Sequence, residues 1–136
     1  MVTIEDVRAI ALTLPGAQEQ QNGHSRAPGW RVSAGLFAWV RPPRQNDLDQ
    51  LAAAGRSWPD GDVLGIRTES LDEKDALLAA EPALLFDIPH FHGYPAVLVR
   101  LSLVDRERLA ELITDAWLAR APKTVARAWL DAHGLQ

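Results

Sequence analysis

The chain has 136 residues, 47% of them hydrophobic, with 14 lysines and arginines against 18 aspartates and glutamates, for a formal charge of −4. That length suits one domain over 1–136 with a core of its own, and that sign works against strong nonspecific attraction to nucleic acid, which is driven by positive charge, while leaving room for a local basic patch. Cysteine is absent, which excludes disulfides, thiolate catalysis and Cys-ligated zinc; no apolar run nears the roughly 20 residues of a membrane span, and the N-terminus has no basic region followed by an apolar core, so a cytoplasmic protein without membrane association is expected.

Thr3 and Asp6 form a helix start signal, and Ile4, Val7, Ile10, Ala11 and Leu14 recur at helical spacing. The spacing predicts a helix over 4–13, stopped by Leu14-Pro15-Gly16. Residues 17–25 are polar and compatible with a short edge strand. Residues 30–32 and 36–40 flank Ser33-Ala34-Gly35, a hairpin signal with tryptophan on both arms. Prolines and glycines mark 41–62 as a long connection, functional or mobile in character, with a short helix over 47–54 capped by Asn46. A strand follows at 63–67. Ser70 and Glu73 form a second capping pair opening a helix to Ala80, and 84–87 suits a short strand.

The stretch P-H-F-H-G-Y-P-A-V-L-V-R-L at 89–101 is the centre of the pattern. Its first half is a loop punctuated by Pro89, Gly93 and Pro95, and its second half is an apolar run that reads as a buried strand on which the rest packs. Beyond it, Asp105 caps a helix with the apolar stripe Leu109, Leu112, Ile113, Ala116 and Trp117. Pro122 suits the first turn of a last helix, with Val125, Ala128, Trp129 and Ala132 on its inner face.

The segments L-T-L-P-G at 12–16, W-R-V-S-A-G-L-F-A at 30–38, L-L-A-A-E-P at 77–82, the central 89–101 stretch and A-W-L-A-R-A-P-K at 116–123 together resemble the MmcQ/YjbR-like family over nearly the whole chain. The resemblance implies an α+β fold with a largely antiparallel sheet flanked by helices, an arrangement also seen in type III secretion chaperones, and a double-wing DNA-binding surface. Two positions depart from the family pattern. Leu36 stands where members often carry Lys, which removes a positive charge, and Phe91 stands where they often carry Tyr, which removes a hydroxyl.

Charge supplies the direct support for DNA. Residues 26–56 hold five arginines, among them Arg31, Arg41, Arg44 and Arg56, against two aspartates; Arg120, Lys123 and Arg127 oppose only Asp131; and 57–119 hold five basic residues against twelve acidic. Lys123 and Arg127 share a helix face, with Arg120 a turn earlier, a stripe that could follow a phosphate backbone. The competing reading is that these are solvated faces and arginine stems covering tryptophans. Trp58, in the loop beside Arg56, is the tryptophan expected to be exposed, either stacking on a partner or anchoring the loop to the sheet.

His90 and His92 have the spacing that places both imidazoles on one side of an extended segment, with Asp87 close in sequence. Zinc wants three or four ligands with outer support, and His24 is a poor third, so no metal and no cofactor is expected; the histidines and Tyr94 are surface-loop candidates. No serine lies in a nucleophile-elbow pattern, no Gly-rich phosphate loop is present, and Asp60 and Asp62 sit in a turn without an apolar pocket. A nonenzymatic protein is expected, binding DNA weakly through a local basic surface or, alternatively, serving as a protein- or peptide-binding adaptor or chaperone-like module. Nothing in the residues signals an oligomeric state.

Overall fold

Among the described residues, three of the five helices start where a short polar cap side chain accepts a free backbone N–H. In the computed structural model, which describes residues 1–21, 23 and 26–134, the helices are α1 (Ile4–Ala11), α2 (Gln45–Ala53), α3 (Leu71–Ala80), α4 (Arg106–Arg120) and α5 (Lys123–Ala132). Thr3 and Asp6 cap α1 reciprocally, with the Thr3 N–H donating to the Asp6 carboxylate at 2.8 Å. Ser70 Oγ accepts from the Glu73 N–H at 3.1 Å, while the Glu73 carboxylate accepts from Glu69 rather than from the cap residue. Asp105 accepts from the Arg108 N–H at 2.7 Å. α2 begins before the expected point: Arg44 is its cap and its N–H donates to Asp47 at 2.8 Å, leaving Asn46 inside the helix. The winning signal is Asp47 reaching back, a stronger acceptor than the Asn46 amide.

The strands are β1 (Gln18–Gln21), β2 (Pro28–Val32), β3 (Gly35–Val40), β4 (Val63–Arg67), β5 (Leu85–Phe86) and β6 (Ala96–Arg100). They form one sheet in the order β1-β2-β3-β4-β6-β5, every neighbouring pair antiparallel. This is the α+β arrangement with an antiparallel sheet that the sequence implies. The strand expected over 17–25 is present as β1; positions 22, 24 and 25, His24 among them, lie outside the described residues.

β6 is buried on both faces, which is why its sequence shows no polar alternation. Val97 and Val99 enter the larger core, formed with β3, β4 and the α4 stripe from Leu109 to Trp117. Ala96 and Leu98 enter a smaller core on the opposite face with Leu51, Val63, Phe86, Ile88 and Phe91. β6 is not the middle of the sheet: it lies one strand in from the edge, with the two-residue β5 outside it. Trp117 is fully buried and its indole N–H donates to the Pro15 carbonyl at 3.0 Å, joining α4 to the turn after α1.

α5 differs from its expected packing. Val125 and Trp129 are half-buried against the main core, with the Trp129 ring edge-on to Trp117 at 5.8 Å, but Ala128 and Ala132 are exposed and no residue of α5 is fully buried. The helix lies at the margin of the α4 layer and has only a narrow stripe to bury.

Glu19 ties the β1 edge to two other elements. Its carboxylate accepts from Arg8 Nε of α1 at 2.7 Å and from the indole N–H of the fully buried Trp30 at 3.0 Å. The Arg8 hydrogen bond, more than any other contact, holds the Glu19 carboxyl below its ordinary value of 4.5, with the Trp30 bond adding to the same effect. A depressed folded-state value means that this stabilisation is complete above the unfolded value and drains away as the pH falls through the folded one. Glu19→Ala should therefore lower stability by about 1–3 kcal/mol at neutral pH, since it leaves the Trp30 N–H without its partner. It should also flatten the acid limb of a stability-against-pH curve from urea unfolding; an unchanged limb would remove Glu19 from the account.

Candidate functional site

The face of the sheet opposite α4 is covered over only half its width. α2 and the 3₁₀ turn at Pro89–Phe91 close the side nearer β6, whereas Gln18, Gln20, Arg31, Leu36 and Trp39 on β1 to β3 remain exposed or half-buried. A bulge shapes this open half. Trp30 pairs with Ala38 but Arg31 pairs with Leu36, so Phe37 is an extra residue in β3. Phe37 therefore turns into the main core, and Leu36 shares the open face with Trp39 despite their odd spacing.

Both neighbours of β3 supply glycine where Trp39 needs room. A Cβ on Gly65 would fall on the indole ring, and one on Gly29 would come within 2.9 Å of Leu36 Cδ2 and 3.3 Å of Trp39 Cβ. The indole thus lies down on the sheet. Across from it stand Phe91, edge-on to Trp39 at 6.2 Å, and Tyr94, 5.7 Å from Phe91. Leu36, Trp39, Arg41, Arg44, His90, Phe91 and Tyr94 enclose a hollow of about 320 Å³.

The loop wall of this hollow is held from behind. Lys74 of α3, buried, donates to the Phe91 carbonyl at 2.7 Å and to the Tyr94 carbonyl at 2.8 Å, and its ammonium lies 3.1 Å from Asp87 Oδ1. Asp87 is thereby engaged by a cation. His90 lies within a 3₁₀ turn, Pro89–Phe91, that Pro89 opens, and His92 follows as its cap residue, so the extended geometry expected of the histidine pair does not form. His90 and His92 are exposed; His90 lies against Phe91 and lines the hollow. Among the described residues no group of three or more His, Asp and Glu is placed to hold a metal.

Arginines gather at the rim. Arg67, on the same face as Val63 and Gly65, donates to the Tyr94 hydroxyl at 3.0 Å with its guanidinium 5.0 Å from the Tyr94 ring centre. Arg120, at the end of α4, lies against Gly35, where a Cβ would collide with its guanidinium; Gly35, at φ +137°, also has a backbone that side chains disfavour. Burial, then the charges of Arg67 and Arg31, push the Arg120 guanidinium below its usual value, and its buried Nε has no hydrogen-bond partner. Arg31 donates to Gln20 at 3.3 Å. Arg41, buried, is a wall component: it faces Asp47 at 2.8 Å without a well-aligned hydrogen bond, donates to the Pro42 carbonyl at 2.5 Å and sits over Phe91.

The arginines and lysine singled out from the sequence thus separate into groups. Arg31, Arg41, Arg44 and Arg120 border the open face. Arg56 donates to the Asp87 carbonyl at 2.7 Å, and Trp58 is half-buried with its ring edge-on to Phe86 at 5.8 Å, so the loop-anchor reading of Trp58 holds and the exposed one does not. Lys123 and Arg127 line a different hollow with Ala126, Leu130 and Asp131. The backbone is extended at Ala121 and Pro122, which ends α4 at Arg120 and breaks the expected stripe between it and Lys123 and Arg127. Arg67 and Trp39 were not singled out. The period of two along β4 places Arg67 beside Gly65, but charge summed by segment hides it in an acidic stretch; the face of Trp39 follows from the glycines flanking it.

An open six-stranded antiparallel sheet with helices on one face and a partly covered second face defines an α+β class shared with a solved structure, the Deinococcus radiodurans protein DR2400, which carries a DUF419 domain. The two superpose with a TM-score of 0.65 at 21% identity, covering 100% of this chain and 91% of that one. The YjbR family model matches residues 12–119, and the chain belongs to the YjbR family. It is 46% identical over 135 residues, 98% of this chain and 100% of theirs, to the uncharacterized proteins Rv2570 of Mycobacterium tuberculosis strain H37Rv and Mb2600 of Mycobacterium bovis.

Replacing Lys74 by Met should strand the Phe91 and Tyr94 carbonyls and Asp87 and cost about 1.5–3 kcal/mol, the range for hydrogen bonds to a charged group. Urea unfolding measures the loss, and amide exchange across residues 89–95 should quicken; unchanged exchange would mean that the loop is held by something else.

Proposed function

We propose that the protein is a nonenzymatic, cytoplasmic DNA-binding protein whose contact surface is the open half of the sheet. One observation carries this reading. Arg8, Arg41, Lys74, Arg106 and Arg108 each face a carboxylate, whereas among the described residues none of the ion pairs includes Arg31, Arg67 or Arg120, although Arg67 and Arg31 lie close enough to Arg120 to disfavour its charge. Arg44, Arg56, Arg100, Lys123 and Arg127 are in none of these ion pairs either, but Arg31, Arg67 and Arg120 are the ones gathered together at the open face, and three such cations without a carboxylate make an anion-seeking surface. Tyr94 beside Arg67 and the half-buried Trp39 add ring faces to it. In this reading the groups at the face position phosphates without transforming them.

The overall negative charge keeps the affinity low. Binding of labelled duplex and single-stranded DNA, read by fluorescence anisotropy, should be about micromolar or weaker at physiological salt and should fall on a log-log salt plot with a slope near 0.9 per phosphate neutralised on duplex. The double variant Arg67→Glu with Arg120→Glu should weaken all sequences alike, since phosphate contacts position without reading bases, and Lys123→Glu with Arg127→Glu should weaken them less. Absence of binding to either form at low salt sinks the proposal. A protein- or peptide-binding module is the second reading, favoured by a hollow of about 510 Å³ between α1, α4 and α5, which includes Ile10, Leu14, Pro15, Ala110 and Trp129.

A further inference from the structure

Given that the open face binds nucleic acid, we infer that its ligand is a single strand, with one unstacked base entering the hollow between Trp39 and the Phe91–Tyr94 wall and a neighbouring phosphate meeting Arg67 and Arg120. Shape argues for this first. A duplex is read by an element that projects into a groove, because its bases show only their edges there and keep their ring faces in the stack. Here the aromatic groups lie at the bottom and side of a concavity that receives a group instead of inserting one, and about 320 Å³ is the volume of a small-ligand site.

The lining matches the chemistry of a free base. Trp39 lies low because Gly65 has no side chain beneath it, and Tyr94, 41% exposed, stands at the mouth. Ring faces of this kind stack on any base once it is splayed from its neighbours. The phosphate position is adjacent to the base position. Tyr94 is bonded to Arg67 at 3.0 Å, and Leu36 on the opposite wall follows Gly35, against which Arg120 lies. A phosphate there would supply the countercharge that the Arg31, Arg67 and Arg120 group lacks among the described residues and an acceptor for a guanidinium whose Nε is buried and unbonded. The glutamines of β1, Gln18 and Gln20, continue the same face past Arg31 and offer neutral hydrogen-bonding groups to the next sugar or base.

Anisotropy with labelled oligo(dT), oligo(rU) and the oligo(dT)·oligo(dA) duplex at one salt concentration tests the inference. At least one single strand should bind about tenfold or more tightly than the duplex, and the ratio of the two single strands says whether DNA or RNA is the better source of the same groups. Trp39→Ala should cut single-strand affinity by about tenfold with little change for the duplex. Because Trp39 also packs on the sheet, Tyr94→Leu is the companion variant: Tyr94 is exposed, so the fold should persist by circular dichroism while single-strand affinity falls. Equal or tighter duplex binding, or a folded Tyr94→Leu protein with undiminished single-strand affinity, overturns the single-strand assignment and leaves the DNA reading standing. Failure of all three probes to bind at low salt removes both.

Discussion

The ammonium of Lys74 is the contact on which the shape of the open face depends. It is buried, it gathers the carbonyls of Phe91 and Tyr94, and it faces Asp87. A charged donor in a low-dielectric setting makes strong hydrogen bonds and is costly to leave unpaired, so the loop cannot drift from α3 without exposing that cost. Phe91 and Tyr94 are held upright as a wall because their backbones are fixed from behind. The opposite wall is fixed by different means, the extra residue in β3 and the two glycines beside Trp39. A rigid hollow thus arises between one wall set by charge and one set by sterics.

Pairing, more than position in the sequence, separates structural arginines from available ones. Arg108 holds Glu81 across α3 and α4 with two hydrogen bonds, 3.0 and 2.6 Å, and Arg106 reaches Asp6 at 2.7 Å. Such groups cannot serve a ligand without giving up a partner. Arg67 and Arg120 give up no carboxylate. The net charge of −4 describes how the chain behaves at long range, while the arrangement at the hairpin end of the sheet sets what happens at contact.

Helix caps at Thr3, Ser70 and Asp105, the Ser33-Ala34-Gly35 hairpin and the double-sided burial of β6 were legible because each rests on residues adjacent in sequence or on a simple period. What escaped depends on distant residues. The bulge at Phe37 is invisible to strict alternation, which would put Leu36 on the wrong face. The grouping of Arg31, Arg67 and Arg120 joins two strands and a helix end, and a segment-by-segment charge sum cannot register it. Trp58 beside Phe86 and the exposed Ala128 and Ala132 reflect where the 41–62 connection and α5 settle against residues distant in sequence.

An open sheet has two free edges, and this one blunts them differently. β5 is two residues long, too short to template an added strand, while β1 is longer but shows only Gln18, Glu19, Gln20 and Gln21, all exposed. Of these four residues Glu19 is the only charged one, and a carboxylate on an edge strand disfavours edge-to-edge growth. The same strand that extends the open face sideways therefore places a single acid, Glu19, at the edge where a further strand would pair. Apolar or β-branched replacements at the outward glutamines would turn it from a margin into a seed for aggregation.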